Sequence, residues 1–244
     1  MHIYIYDYFL KQKKYEKIVA KIETRLTDLG LNGKNCHVGP LKSLRSIVAD
    51  EIKNNPKTVV AVGDNNTLSQ TINATKESGA IIGFIPVGTN SSIAKTMGIE
   101  NEDQACNILS ARLIETIDMG VINDEYFISS AKIPSQGTII EINGQYTLEP
   151  VGQGIVKITN LGTGEPFDQH NPRDGMLEIE IEIKQKGMLT NKVDQSFIQS
   201  RRLIINNLKQ KNFIIDESVE IKTPAEIGVI KNGLSLIVGK NRLF

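Results

Sequence analysis

The sequence is short of cysteine, of net charge and of long apolar runs. Its 244 residues include two cysteines, Cys36 and Cys106, which lie far apart and lack CxxC spacing. That argues against a disulfide framework or a zinc site and points to free, partly buried thiols in a reducing cytoplasm. Lysine plus arginine total 28 and aspartate plus glutamate total 28, so the formal net charge is zero. A nucleic-acid partner held mainly by bulk charge is not expected. The longest apolar stretch, Ala80 to Val87, is far below the roughly 18 residues of a spanning helix. Met1 to Asp7 starts directly as a strand, with no signal-peptide pattern. No transmembrane segment is expected, while contact with a membrane surface stays open. The P-loop pattern, a GxGxxG between strand and helix, HExxH and GxSxG are all missing. His2, His37 and His170 stand alone, without the neighbours that histidine catalysis needs.

What the sequence does contain is globular. Hydrophobic residues make up 40% and charged residues 23%, and the length corresponds to roughly 1.6 domains. The chain changes character near residue 118. Before it, strands and helices alternate. Ile3 to Phe9 is β-rich, and Tyr15, Ile18, Val19, Ile22, Leu26 and Leu29 follow at helical spacing up to Gly30. Asn35 to Val38 is a short strand, and Leu41, Leu44, Ile47, Val48 and Ile52 form one face of a second helix. Thr58 to Val62 and Ala80 to Val87 are apolar runs of the kind buried in parallel sheets. Helices are expected over 67–78, 91–97 and 102–113. Such βα units imply a parallel sheet covered on both faces.

After residue 118 the period changes to two. Leu177, Ile179, Ile181 and Ile183 alternate with Glu178, Glu180 and Glu182, which marks a strand with one dry and one wet face. Further strands are expected over 125–133, 138–142, 155–160, 196–205, 212–215 and 234–238. Asn143-Gly144 and Asn232-Gly233 are read as turns. The expected organisation is an α/β domain over 1–118 and an antiparallel β-sandwich or barrel over 119–244.

Two loops carry the chemistry. In a parallel sheet, ligands bind beyond the carboxyl ends of the strands. Gly63-Asp64-Asn65-Asn66-Thr67 follows one buried strand, and Pro86-Val87-Gly88-Thr89-Asn90-Ser91-Ser92 follows the next. Both are rich in residues that tolerate positive φ, and both open into helix N-termini, whose free N–H groups attract phosphate. Ordinary capped turns would look the same taken singly.

Taken in order, the loops resemble the diacylglycerol-kinase-like lipid kinase family, which also includes sphingosine and ceramide kinases and bacterial lipid kinases. Its G-G-D-G-T-L-N-E motif is matched by Gly63 to Gln70, and its P-x-G-T-G-N-D-x-A-R motif by Pro86 to Lys95. Asp118-Met119-Gly120 resembles the entry to the family's β domain. Asp174-Gly175-Met176-Leu177 resembles its D-G-x-L strand, and Ile215-Asp216-Glu217-Ser218 its D-G-E segment. The resemblance implies a Rossmann-like nucleotide-binding domain with a β-sandwich, and ATP with Mg²⁺ as cofactors. It also implies transfer of the γ-phosphate to a hydroxyl of a lipid at a membrane surface, and it leaves room for a homodimer. Nucleotide contacts are expected from Gly63, Asp64, Asn65, Asn66, Thr67, Gly88, Thr89, Asn90 and Ser91, with Asp216 as general base.

The departures bear on function. The family's N-P-x-S-G phosphate turn is replaced by Asp7-Tyr8-Phe9-Leu10, with Lys11, Lys13 and Lys14 beyond. Asn65 stands where the family's motif carries Asp, which leaves Asp64 as the candidate metal ligand. Ser91-Ser92 replaces Asn-Asp, and Ser218 takes the place of Glu. A relative that binds nucleotide or lipid with little or no transfer, and an NAD-kinase-like enzyme, are the alternative readings.

Overall fold

The computed structural model describes residues 1–162, 171–186 and 191–244. His170 lies outside them. The chain forms two units, Met1–Ile117 with Leu234–Phe244, and Asp118–Gly233.

The first unit is built on strands β1 (His2–Tyr6), β2 (Gly33–His37), β3 (Thr58–Gly63) and β4 (Ile81–Pro86), with helices α1 (Glu16–Asp28), α2 (Leu44–Ile52), α3 (Asn65–Thr75), α4 (Ser92–Thr96) and α5 (Glu102–Ala111). The sheet order β2-β1-β3-β4 is parallel throughout. Ile3 to Tyr6 and Val59 to Val62 are buried along their whole length, as strands covered on both faces must be. Pairings of Tyr6 with Val62 and of Val62 with Ile85 bring the ends of β1, β3 and β4 level. The loops that leave those ends therefore share one edge.

Three expectations for this unit are corrected. The first strand stops at Tyr6, because the Asp7 carboxylate accepts from Phe9 N at 3.2 Å and caps a 3-10 turn over Tyr8–Lys11. Leu41 is not on the core face of α2. That helix starts at Leu44 behind its Ser43 cap, and Leu41 is 96% exposed. Residues 234–244 cluster with the first unit, not with the sandwich. There Leu236 pairs with Ile82 of β4, while Gly239 N and Leu243 N donate to Met97 O and Thr96 O. Cys36 and Cys106 are free and buried, and burial pushes the Cys106 thiol up to about 11.

The second unit is antiparallel. Its strands are β5 (Ile114–Ile122), which enters from the first unit, β6 (Glu125–Phe127), β7 (Ser130–Pro134), β8 (Thr138–Ile142), β9 (Tyr146–Leu148), β10 (Gln153–Thr159), β11 (Leu177–Lys186), β12 (Asn191–Ser200), β13 (Arg202–Asn207), β14 (Phe213–Ile215), β15 (Val219–Ile221) and β16 (Ala225–Ile237), which leads back. One layer runs β12-β11-β10-β7-β14-β15, and the other contains β16-β13-β8-β9 with β5 and β6. Ile158, Ile179 and Phe213 from the first layer pack with Ile140, Leu203 and Ile227 from the second in one dry cluster. The row of Glu178, Glu180 and Glu182 faces out and is cross-linked, with Lys157 at 3.7 Å from Glu180 and Gln199 at 3.1 Å from Glu178.

Polar side chains set the breaks that hydrophobic period alone does not reveal. The run 125–133 is split where the Asp216 carboxylate takes the N–H groups of Ile128, Ser129 and Ser130. The run 196–205 is split where Ser200 Oγ bonds to Arg202 O and Arg202 N. Asn143-Gly144 is the expected turn, with φ of 52° and 67°. Asn232-Gly233 is not a turn but lies inside β16, where Asn232 N donates to the buried Asp118 carboxylate at 2.8 Å.

Gly120 illustrates how tightly this unit is packed. A Cβ there would lie 2.2 Å from Cζ of Phe127, which is fully buried. Gly120→Ala is expected to destabilise the protein by about 1 to 3 kcal/mol through overpacking. Urea unfolding of Gly120→Ala, Phe127→Leu and the double variant should give a double-variant loss smaller than the sum of the single losses. Strict additivity would show that the ring does not fill this space.

Candidate functional site

The site grows from the ends of β1, β3 and β4. Asp64 closes β3 and caps α3. Its Oδ1 accepts from Thr67 N at 3.0 Å, and its own N–H donates to Thr67 Oγ1 at 3.2 Å. This reciprocal box fixes the entry angle of the helix. Gly63 precedes it because a Cβ there would come within 2.3 Å of Thr67 Oγ1. The same hydroxyl lies 2.8 Å from Asp7 Oδ2 and 3.2 Å from Asp64 Oδ1. A hydroxyl has one proton, so it can serve only one of these carboxylates at a time. Asp7 and Asp64 thus form a pair of acids around a single donor.

Asn65 has no exposed surface. Its Nδ2 donates to Asn90 Oδ1 at 3.0 Å and Ser92 Oγ at 2.9 Å, while its N–H donates to Asn90 O at 2.8 Å. The residue standing in the family's acidic position is a strut that joins the two loops. Asn66, expected to allow positive φ, sits in the first turn of α3 with helical backbone. The α3 N-terminus is also less open to phosphate than expected, since Asn65 N, Thr67 N and Leu68 N already donate to Asn90 O, Asp64 Oδ1 and Asp64 O.

The second loop is more accessible. Gly88 and Thr89 are exposed, and Asn90 and Ser91 are half-buried. Gly88 has φ of 109°, a region that L side chains rarely adopt. The Phe9 ring lies along one side of it, with Cζ 3.4 Å from where a Cβ would stand. Ser91 precedes α4 without a side-chain cap.

Asp216 does not have the geometry of the expected base. It is 1% exposed, and its carboxylate accepts from Ile128 N at 2.9 Å, Ser129 N at 2.8 Å and Ser130 N at 3.2 Å. A general base must reach the proton that it takes, and this carboxylate is buried with both oxygens holding the turn between β6 and β7, whereas Asp7 and Asp64 are part-exposed.

The residue that sequence reasoning missed is Asp7. The available signal was an acid at the end of a strand, where the related motif carries a phosphate turn. Among the described residues no group of three or more His, Cys, Asp or Glu is placed to hold a metal. The oxygen-only set of Asp7, Asp64 and Thr67 nonetheless suits Mg²⁺, which is commonly held by one or two carboxylates plus substrate phosphates.

Comparison with known proteins matches the family resemblance read from the sequence. Residues 5–122 match the family model for the diacylglycerol kinase catalytic domain. A diacylglycerol kinase of Bacillus subtilis (strain 168) is 32% identical over 77 residues, which is 30% of this chain and 25% of that protein. The aligned segment therefore spans about a quarter of that relative's length. A diacylglycerol kinase structure from Bacillus anthracis str. Sterne superposes with a TM-score of 0.77 at 16% identity, covering 99% of this chain and 97% of that one. A second chain from the same organism gives 0.79 at 14% identity, covering 99% and 98%. At such identities the structures speak for the fold.

Two substitutions test the assignments. Asn65→Asp is expected to lower stability by about 1 to 3 kcal/mol, because it replaces a buried donor with a carboxylate facing Asn90 Oδ1. Thermal or urea unfolding that matches the wild type would show that the strut is dispensable. Asp216→Asn should destabilise by at least about 2 kcal/mol, since hydrogen bonds to a charged acceptor contribute about 1.5 to 3 kcal/mol each. An unchanged urea midpoint would remove its structural role.

Proposed function

We propose that this chain, a diacylglycerol-kinase-like protein by its fold and by the sequence of residues 5–122, binds ATP through a divalent cation at Asp7 and Asp64. In this reading it hands the γ-phosphoryl group to the hydroxyl of a membrane lipid such as a diacylglycerol. The observation that carries the reading is the carboxylate pair on the Thr67 hydroxyl, at the edge that also bears the exposed Gly88-Thr89 loop. Without a cation, two carboxylates would repel the phosphates of ATP, so binding must depend on Mg²⁺. When bound, the cation neutralises charge on the phosphates.

The chain's own residues do the positioning. Gly88 lets phosphate approach the backbone. Asn65 holds the Asn90–Ser92 segment against α3, so the loop is already ordered before ligand arrives. Phosphoryl transfer depends on such positioning and on charge neutralisation more than on covalent chemistry. Asp216 has no part in proton transfer here.

A relative that binds nucleotide or lipid without transfer is the second reading. The structural engagement of Asn65, Ser92 and Asp216 favours it.

A thermal-shift panel with ATP, MgCl₂ and both together tests the binding. At about 100 times Kd, Mg·ATP should stabilise by about 2.7 kcal/mol, a rise of roughly 5 to 11 °C at about 2 to 4 °C per kcal/mol. The shift should vanish in Asp64→Asn and in Asp7→Asn, and ATP without Mg²⁺ should give none. A shift independent of Mg²⁺, or retained in both variants, would overturn the cation assignment. Transfer from labelled ATP to diacylglycerol in vesicles, with NAD as control acceptor, then separates the readings. Product with diacylglycerol supports the kinase, and a Mg·ATP shift without product supports the binding relative.

A further inference from the structure

One side chain at the edge of the site has no polar group to offer a nucleotide, the ring of Phe9. Phe9 is half-buried and stands on the 3-10 turn that follows β1. Its Cζ and Cε2 lie 3.4 Å and 3.7 Å from the point where a Cβ of Gly88 would stand, and the Cβ of Asp64 lies 3.8 Å from the same point. The ring thus covers the side of Gly88 that faces Asp64. β1, β3 and β4 are neighbours in that order, so a side chain that leaves β1 and touches the loop after β4 must cross the end of β3. In open sheets ordered β2-β1-β3-β4, the ligand crevice lies between the first and third strands, where the strand order reverses. Phe9 lies across that crevice.

The ring is held from two sides. Tyr15 meets it edge-on at 5.2 Å. Asp7 holds the turn that carries it, because Asp7 Oδ1 accepts from Phe9 N at 3.2 Å. Beyond that cap the turn rests on the buried Leu10 side chain, on Leu10 N donating to Asp7 O at 3.2 Å and on Gln12 N donating to Phe9 O at 3.1 Å. Short 3-10 turns have poorer hydrogen-bond geometry than α-helices, and segments with few buried contacts open most readily. Asp7 therefore serves two ends. It caps the Phe9 turn, and its Oδ2 accepts from the Thr67 hydroxyl that it shares with Asp64. A cation held by Asp7 and Asp64 draws on the same negative charge that caps the turn, so it loosens the cap.

We infer that Phe9 is a gate on the nucleotide site. The seated ring lies between Asp64 and Gly88, on the path of a phosphate that reaches both the cation and the Gly88 backbone. The cation weakens the Asp7 cap, and the ring swings out as the phosphate enters. Seated ring and bound nucleotide exclude one another, and the coupling is reciprocal. The inference rests on the reading of Asp7 and Asp64 as a cation site for ATP. It adds that the site has a closed form, with the ring seated, and that the apparent affinity is lowered by the fraction of molecules in that form.

The test is calorimetric titration of the full chain with Mg·ATP. Phe9→Ala is expected to bind at least about tenfold more tightly than the wild type, since an open form populated at about one-tenth or less lowers the apparent affinity by that factor. Tyr8→Ala, in the same turn but with its ring facing Lys11, should bind like the wild type. The chain has no tryptophan, so Phe9→Trp places a single reporter in the gate. Its emission should shift to the red, and its quenching by acrylamide should rise, when Mg·ATP is added. Asp7→Ala in the Phe9→Trp background should give part of that shift without nucleotide, because the cap is lost. Equal or weaker Mg·ATP binding in Phe9→Ala would make the ring a fixed wall and overturn the gate. So would a Phe9→Trp emission that stays constant while calorimetry records binding, or a gain in Tyr8→Ala as large as that in Phe9→Ala. Absence of Mg·ATP binding in the wild type and in Phe9→Ala alike would instead remove the nucleotide reading, and the gate with it.

Discussion

A buried amide that bridges two loops is the constraint on which the functional edge depends. Asn65 is sealed from solvent, and its side chain and N–H together tie the end of β3 to the loop after β4. Buried polar groups must find partners, because leaving them unpaired costs more than the bond itself contributes. The two loops therefore form one ordered piece. An acid in the same place would hold charge for a ligand. The amide holds the protein's own loops instead, and the negative charge of the edge moves to Asp64 and Asp7 on either side of Thr67.

The same exchange occurs in the second unit. Asp216 and Asp118 are buried carboxylates whose oxygens are taken by backbone N–H groups: Ile128, Ser129 and Ser130 for the first, Gly175 and Asn232 for the second. Charge-assisted bonds of this kind are strong, and they fix turns where the strand pattern alone would run on. A residue that matches a family motif can thus be held by the fold's own hydrogen bonds. Resemblance of sequence identifies the fold more securely than it identifies a catalytic role, because the role depends on what else reaches the same oxygen atoms.

Much of the architecture was legible from hydrophobic period. The apolar runs at Thr58–Val62 and Ala80–Val87 and the alternation from Leu177 to Ile183 each report how many faces of a strand are dry. That is a local property, so it survives in the sequence. The two loops were legible for the same reason, since Gly and Asn at strand ends mark backbone that must turn sharply. Boundaries were less so. Leu41 fits a helical face by spacing, but Pro40 and the Ser43 cap place it outside the helix, and Asn232-Gly233 has turn composition yet lies within a long strand that the Asp118 carboxylate grips.

The sequence by itself determined the α/β order of the first part, the antiparallel character of the second and the position of the two loops, because these follow from periodicity and from local turn chemistry. Tertiary structure alone decided which polar residues are free. Asp7 and Thr67 are sixty residues apart and meet only because β1 and β3 pair in register. Asn65 finds Asn90 and Ser92 because β3 and β4 end level, and Asp216 reaches Ile128 across 88 positions of sequence. Hydrogen bonds that distant in the chain leave no local pattern, because they depend on which strands pair and in what register.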